Sequence, residues 1–340
     1  APADPRINAA LGNVQRRQGN EFSATNAYDT ALRYERNHAE ALLGFALMHI
    51  ESDRPEARSK AKEFLEKLTS PTMDPPPSSR QLALARMAKA IVLDFEAKKD
   101  EADRLEAQAL EADPKNSELH ILKSRRLARA GKQDEAIAAV REAIRLEPKR
   151  ASFYVELAGA LVKKPGGAKE AVESMQQALK TMPGSPKLLV LLGDAYRAAK
   201  DYDNARAQYE KALTEAKDKL PEARMALADL AHAKKEYPRA IELYERAINE
   251  YLTATDKQAY AYCELGKIAE AQEDRVKALE HYKKAASIDQ MYAPAYYLIG
   301  RMFIGDKDKA KRDQALKLYA EYLKLAPKGE YADEAQKALK

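Results

Sequence analysis

A chain of 340 residues is long enough for two ordinary domains, yet a repeat array also reaches this length without forming separate cores. Its composition, 33% charged with 13 glycines, 16 prolines and no tryptophan, is rich in the residues that favour helices and poor in those that favour strands. The formal charge of +5 is a small difference between 58 basic and 53 acidic residues, which permits a nucleic acid or anionic surface without demanding one. The lone cysteine, Cys263, excludes an internal disulfide framework and a zinc site built on several thiolates.

The most regular stretch is Leu188–Leu213, which reads as two helices hinged at Lys200–Asp201. Leu189, Leu192, Gly193 and Tyr196 share a face of the first helix, and Ala205, Tyr209 and Ala212 share a face of the second. Glycine inside a helix costs about 1 kcal/mol relative to alanine, so Gly193 needs a packing reason, and close approach of the second helix supplies one.

Taken in chain order, the same spacing opens the sequence as Gly12, Ala24, Tyr28 and Ala31. A degenerate copy follows as Ala46, Ala61, Leu65 and Leu68, with extra residues at Asp53–Pro55. Pro71–Ser79 carries three consecutive prolines that cannot propagate a helix, and is expected to form a stiff connection. Ala90, Ala102, Glu106 and Ala109 resume the spacing with a glutamate where the ring stood, which predicts a weaker unit. Ser124, Ala136, Val140 and Ala143 come next, then Ala158, Ala171, Met175 and Ala178 around an extra residue at Pro165–Gly167. After the reference unit come Ala228, Ala240, Tyr244 and Ala247, then Gly266, Ala278, Tyr282 and Ala285, and finally Gly300, Ala315, Tyr319 and Tyr322. A short helix over Tyr331–Lys340 is expected to cap the end.

About nine helix-turn-helix units with a period of about 34 residues result, and the sequence resembles the tetratricopeptide repeat (TPR) family. The first-helix series Leu189, Leu192, Gly193, Tyr196 and the second-helix series Ala136, Val140, Ala143, Pro148 carry the resemblance, although the family's frequent tryptophan is absent. It implies an all-α, right-handed superhelical solenoid with a C-terminal capping helix. The expected organisation is N-terminal repeats over 1–70, a proline-rich insertion at 71–79, a main array over 80–330 and a cap over 331–340.

The resemblance further implies that the first helices line a concave groove. The positions carried over are Asn13, Arg16, Arg17, Leu47, Ile91, Arg125, Arg129, Val162, Lys163, Val190, Asp194, Arg197, Asp229 and Lys267. The lining begins basic, becomes apolar and turns acidic, and the junction at Val190, Asp194 and Arg197 is the expected focus for a ligand. Such a surface suits a protein or peptide segment with acidic and apolar residues, since arginine pairs bidentately with carboxylates over an apolar floor. In some relatives a lysine and asparagine set clamps a terminal carboxylate; here Asn13 matches one position but Ala9 stands at another, so no such clamp is expected.

Catalysis is not expected. The five histidines include no pair three or four apart, the turn at Asp306–Lys309 lacks the glycine and distal glutamate of a calcium loop, and Pro165–Glu170 lacks phosphate-loop spacing. Cys263 reads as a packed residue with no base partner, and most of the 18 tyrosines read as core, with Tyr260, Tyr292 and Tyr297 outside the repeating positions. No metal, cofactor or small-molecule substrate is expected, and no apolar run approaches the roughly 18 residues of a membrane span. A non-catalytic scaffold or adaptor is the leading reading, and an RNA-binding helical repeat is the alternative. The chain opens APADP without an initiator methionine, so its native N-terminus is expected to have been removed, which leaves cytoplasm and periplasm both open.

The helix crossing makes a first prediction. Ala205→Phe, which overpacks it, should destabilise the protein by roughly 1–3 kcal/mol, and an unchanged melting temperature would remove Ala205 from that crossing.

Overall fold

The computed structural model describes residues 4–18, 21–50 and 55–339. Among these it contains nineteen α-helices and no strand. Two compact units divide between Gly167 and Ala168. The first holds α1 (Pro5–Gln18), α2 (Glu21–Tyr34), α3 (Ala39–His49), α4 (Pro55–Leu68), α5 (Ser79–Phe95), α6 (Lys99–Ala112), α7 (Ser117–Arg129), α8 (Gln133–Leu146) and α9 (Ala151–Lys163). The second holds α10 (Ala168–Thr181), α11 (Pro186–Ala198), α12 (Tyr202–Glu215), α13 (Pro221–Ala233), α14 (Tyr237–Glu250), α15 (Thr255–Ala271), α16 (Arg275–Ile288), α17 (Ala293–Phe303), α18 (Lys309–Leu325) and α19 (Ala332–Ala338). The division falls between α9 and α10, which the sequence pattern pairs as one repeat. It lies at the Pro165–Gly167 insertion, where Gly166 adopts a φ of +73° and a side chain on Gly167 would strike the Leu161 carbonyl.

Within each unit, successive helices pack as antiparallel pairs, and the first helix of one pair also contacts the next first helix. The small residues of the repeating pattern make the crossings. Ala24, Ala31, Ala205, Ala212, Ala240 and Ala278 are all fully buried. Gly193 lies against the ring of Tyr209, Gly12 against Tyr28 and Gly266 against Tyr282, each so close that a Cβ would penetrate the ring. The degenerate second unit keeps its body in the core, since Ala46, Ala61, Leu65 and Leu68 are fully buried. Asp53 and Arg54, within the insertion read there, lie outside the described residues.

The turns inside the regular pairs share one geometry. Ala97, Gly131, Lys200, Lys235 and Glu273 all take positive φ between 58° and 75°. In each case the following N–H reaches back to close the helix, as Asp201 N to Tyr196 O at 2.9 Å and Glu236 N to Ala231 O at 2.8 Å. Only one of these five left-handed positions is glycine, so the tertiary packing of the pair holds a conformation that the local sequence does not favour. The proline-rich connection is also anchored. Met73 is buried, Asn37 Nδ2 donates to the Asp74 carbonyl at 2.7 Å, and Ser78 with Gln81 forms a capping box that starts α5.

The weaker unit expected at Glu106 has a different core. Arg126 on α7 is 9% exposed and donates to Asp94 at 2.6 Å, Asp103 at 2.5 Å and Glu106 at 2.6 Å. Burial works against its charge, but these hydrogen bonds more than offset it and hold the guanidinium protonated. Arg224 on α13 is similarly buried against Glu250 and Asp218. At these two places a charge cluster joins neighbouring helices.

Two glycines give opposite expectations. Gly193→Ala, which pushes a methyl into the Tyr209 ring, should cost about 1–3 kcal/mol. Gly159→Ala on α9, where a Cβ meets nothing within 4 Å, should stabilise by up to about 1 kcal/mol through helix propensity. Thermal unfolding of both variants checks the pair, and shifts of the same sign would contradict the packing assignment.

Candidate functional site

In the first unit the first helices line three successive cavities. One of about 410 Å³ is bounded by Asn13, Arg16, Glu40, Leu47 and Arg80 among others. The next, about 530 Å³, shares Arg16, Leu47, Leu84 and Glu118 with it and reaches Ile121, Arg125, Arg150 and Phe153. The third, about 420 Å³, shares Arg125 and Glu156 and ends at Arg129 and Lys163. Six of the residues read from the sequence as groove lining, Asn13, Arg16, Leu47, Arg125, Arg129 and Lys163, therefore meet along these cavities.

The charges there are largely matched from within. Asn13 accepts from the Tyr28 hydroxyl at 2.8 Å and donates to Glu40 at 2.7 Å. Arg125 pairs with Glu156, its Nε donating at 3.1 Å, and Arg150 pairs with Glu118 at 2.7 Å. Arg129 lies over the Phe95 ring at 5.0 Å. Arg16 differs, because its Nε is buried without a hydrogen-bond partner.

Other expected positions fall elsewhere. Ile91 is fully buried in the core with Met87 and Leu119, so it does not reach the groove surface. The cause is α5 itself, which contacts α3, α6 and α7 and is apolar around most of its circumference. Val162 is 42% exposed and bounds none of these three cavities. The side chain of Arg17 lies outside the described residues.

The second unit shows a different chemistry on the equivalent helices. Tyr209 Oη donates to Asp194 at 2.7 Å, and Tyr244 and Tyr260 both donate to Asp229 Oδ1, at 2.7 and 2.9 Å. Arg197 lies 3.4 Å from Asp194. Glu264 accepts from Lys267 at 2.7 Å and lies 3.1 Å from His232 Nδ1. Val190 is half-buried between two apolar clusters. Burial raises the pKa of Asp194 and of Asp229 against the lowering effect of these tyrosines, and nearby Glu264 raises Asp229 further. Cys263 is 2% exposed and burial pushes its thiol up to about 12, so it is held as a packed, unreactive thiol.

The hydroxyl bonds were not read from the sequence, although a signal for them exists. The donor tyrosine follows its acceptor by 15 residues in Tyr28–Asn13, Tyr209–Asp194 and Tyr244–Asp229. Glu118, Lys149, Arg150 and Glu156 were also missed, since two of them lie at the boundary between repeats rather than on a first-helix face. Tyr260 proves to share the Asp229 acceptor with Tyr244, whereas Tyr297 stacks on Tyr331 at 4.1 Å as core.

Stacked helix pairs, with adjoining cavities lined largely by the first helix of each pair in the first unit, define an α-helical repeat protein. Tetratricopeptide repeat models match residues 121–186, 166–230, 223–258 and 259–290, and the chain belongs to the tetratricopeptide repeat family. No curated protein matches the sequence. Among solved structures, yeast Tom70 is 14% identical, with 99% of this chain and 80% of that chain covered at a TM-score of 0.56. A tetratricopeptide repeat protein from Parabacteroides merdae is 17% identical over 77% of this chain and 99% of its own, with a TM-score of 0.55. The human IFIT1 dimer with m7Gppp-AAAA is 18% identical, covering 99% and 80%, with a TM-score of 0.54. At these identities the likeness is one of fold.

The raised pKa of Asp229 has a measurable consequence. Its ionised form is disfavoured in the folded protein, so it costs stability above its folded pKa, and that cost is relieved as pH falls towards the ordinary aspartate value. Asp229→Asn keeps an oxygen to accept from Tyr244 and Tyr260. It should raise the melting temperature at pH 7, with a gain over the unmodified protein that shrinks on acidification; a gain independent of pH would show that the Asp229 charge is not its source.

Proposed function

We propose that this chain is a non-catalytic scaffold or adaptor that holds protein or peptide segments against the concave face of its first helices. The observation that carries this reading is the run of three adjoining cavities in the first unit, where Leu47, Leu84 and Ile121 provide apolar floor and Arg16, Arg125, Arg129 and Lys163 provide positive charge. A segment with acidic and apolar side chains complements both features at once. Tetratricopeptide repeat membership supports an interaction scaffold over an enzyme. Among the described residues no group of three His, Cys, Asp or Glu is placed to hold a metal, and no helix is long and apolar enough to cross a membrane.

The pathway we favour is a bacterial assembly, export, motility or polarity complex, on the strength of the alanine- and arginine-rich, cysteine-poor composition. Wherever it acts, the partner is expected to reach the groove as an extended or helical segment rather than as a small molecule.

Charge reversal tests the reading. The double variant Arg125→Glu, Arg129→Glu, with its helical circular dichroism intact, should lose partners that the unmodified chain captures from its native organism. Affinity for an identified partner should fall at least about tenfold, or 1.4 kcal/mol. Unchanged affinity would overturn the groove assignment.

A further inference from the structure

The cavities of the first unit contain a half-buried cation prepared for an external anion. Arg125 is neutralised by Glu156, and Arg150 by Glu118 and Glu147. Arg16 has no such partner among the described residues, and its buried Nε is left without an acceptor. A guanidinium without an acidic partner keeps its full charge, so the site gains from a ligand that brings an anionic acceptor to the part of Arg16 lining the cavities. Arg16 bounds both the 410 Å³ and the 530 Å³ cavities, at the place where they join. Beside it lies an aliphatic floor of Leu47, Leu84, Ile121 and Leu122. Two further cations on these walls, Arg80 and Lys149, are also unpaired among the described residues and exposed.

We infer that Arg16 and this floor form a seat for an internal segment of a partner protein in which an aspartate or glutamate adjoins a large apolar side chain. The inference rests on the scaffold reading above and gives its ligand a chemical signature. The carboxylate accepts from the part of the guanidinium that lines the cavities, while the apolar neighbour covers the floor. Because the cavities continue on both sides of the seat, a chain runs through it and needs no free terminus there. A volume of about 530 Å³ falls within the roughly 300–1,000 Å³ typical of ligand pockets.

The same walls disfavour a nucleic acid. Glu118 and Glu156 line the larger cavity and already occupy Arg150 and Arg125, so those two arginines are not open to a row of phosphates, whereas a single carboxylate needs only Arg16. Stacking is also blocked. Phe153, the aromatic residue of that lining, is 3% exposed, and the Arg150 guanidinium lies over its ring at 4.5 Å.

A positional-scanning library of nonapeptides, acetylated and amidated to remove terminal charge, provides the probe, with fluorescence polarisation on the intact chain. The unmodified protein should select Asp or Glu next to Leu, Ile or Phe. Arg16→Gln should lower the preference for the acidic residue about tenfold while keeping the apolar preference, and Leu47→Gln should do the reverse. Arg16→Lys, which keeps the charge but loses the paired N–H geometry, should fall between, and it carries the test should Arg16→Gln fail to fold. If acidic selection survives every Arg16 variant but disappears in the Arg125→Glu, Arg129→Glu protein, the seat is wrong and the groove reading stands. If no peptide is selected, or poly(U) RNA binds in preference to all of them, both readings fall.

Discussion

The most regular repeats depend on a tyrosine ring seated against a small residue, which in several of them is a glycine. Tyr209 occupies the space that a Cβ on Gly193 would need, and Tyr28 and Tyr282 do the same at Gly12 and Gly266. The ring sets how closely the two helices of a pair approach, because interiors are close-packed and the space it takes at Gly193, Gly12 and Gly266 leaves no room for a Cβ. Its length has a second effect. The hydroxyl of a ring anchored there reaches past the notch to the first helix of its own pair, Tyr28 to Asn13 and Tyr209 to Asp194. Core packing therefore determines which polar groups of the first helices are engaged and in what geometry.

Where the ring is missing, Leu65, Val140 and Met175 fill its place with buried apolar side chains, and in one repeat ion pairs take over its linking role at a different cost. Glu106 occupies the ring position of its repeat and accepts from Arg126, which also gathers Asp94 and Asp103. Desolvating a guanidinium is expensive, and the three carboxylates make that burial tolerable only while all are in place. Such a joint is specific about its neighbours and unforgiving of single changes. The ring-and-notch joint is simpler, since it depends mainly on shape.

Much of this was legible in the sequence. The notch, the ring and the flanking alanines recur at fixed spacing, and that spacing follows from helix geometry, so all the regular crossings could be placed without coordinates. The turns were located but their conformation was not, because Lys200, Lys235 and Glu273 are poor local candidates for positive φ and adopt it under tertiary constraint. Ile91 was misplaced for a related reason. The repeat register puts it on the concave side, but α5 is covered by several helices, and register says nothing about coverage. The partners of the charged groups were the least legible. Arg126 pairs with residues 20 and 32 positions away, a distance at which local pattern carries no information.

The two units differ most in how far they satisfy themselves. In the second unit the carboxylates at the concave face are served by tyrosines, Asp229 by two of them, and Glu264 is held by His232 and Lys267. The exception follows the same rule, for the residue 15 before Tyr282 is Lys267, which offers no acceptor, and the buried Tyr282 hydroxyl has no partner among the described residues. The first unit instead leaves Arg16 without a charge partner among the described residues, beside an aliphatic floor. A ligand gains most where the free protein leaves a strong donor unsatisfied and apolar surface uncovered, and it gains little by displacing hydrogen bonds that are already good. That balance favours Arg16 in the first unit over the Val190, Asp194 and Arg197 junction, where the charge pattern alone had drawn attention.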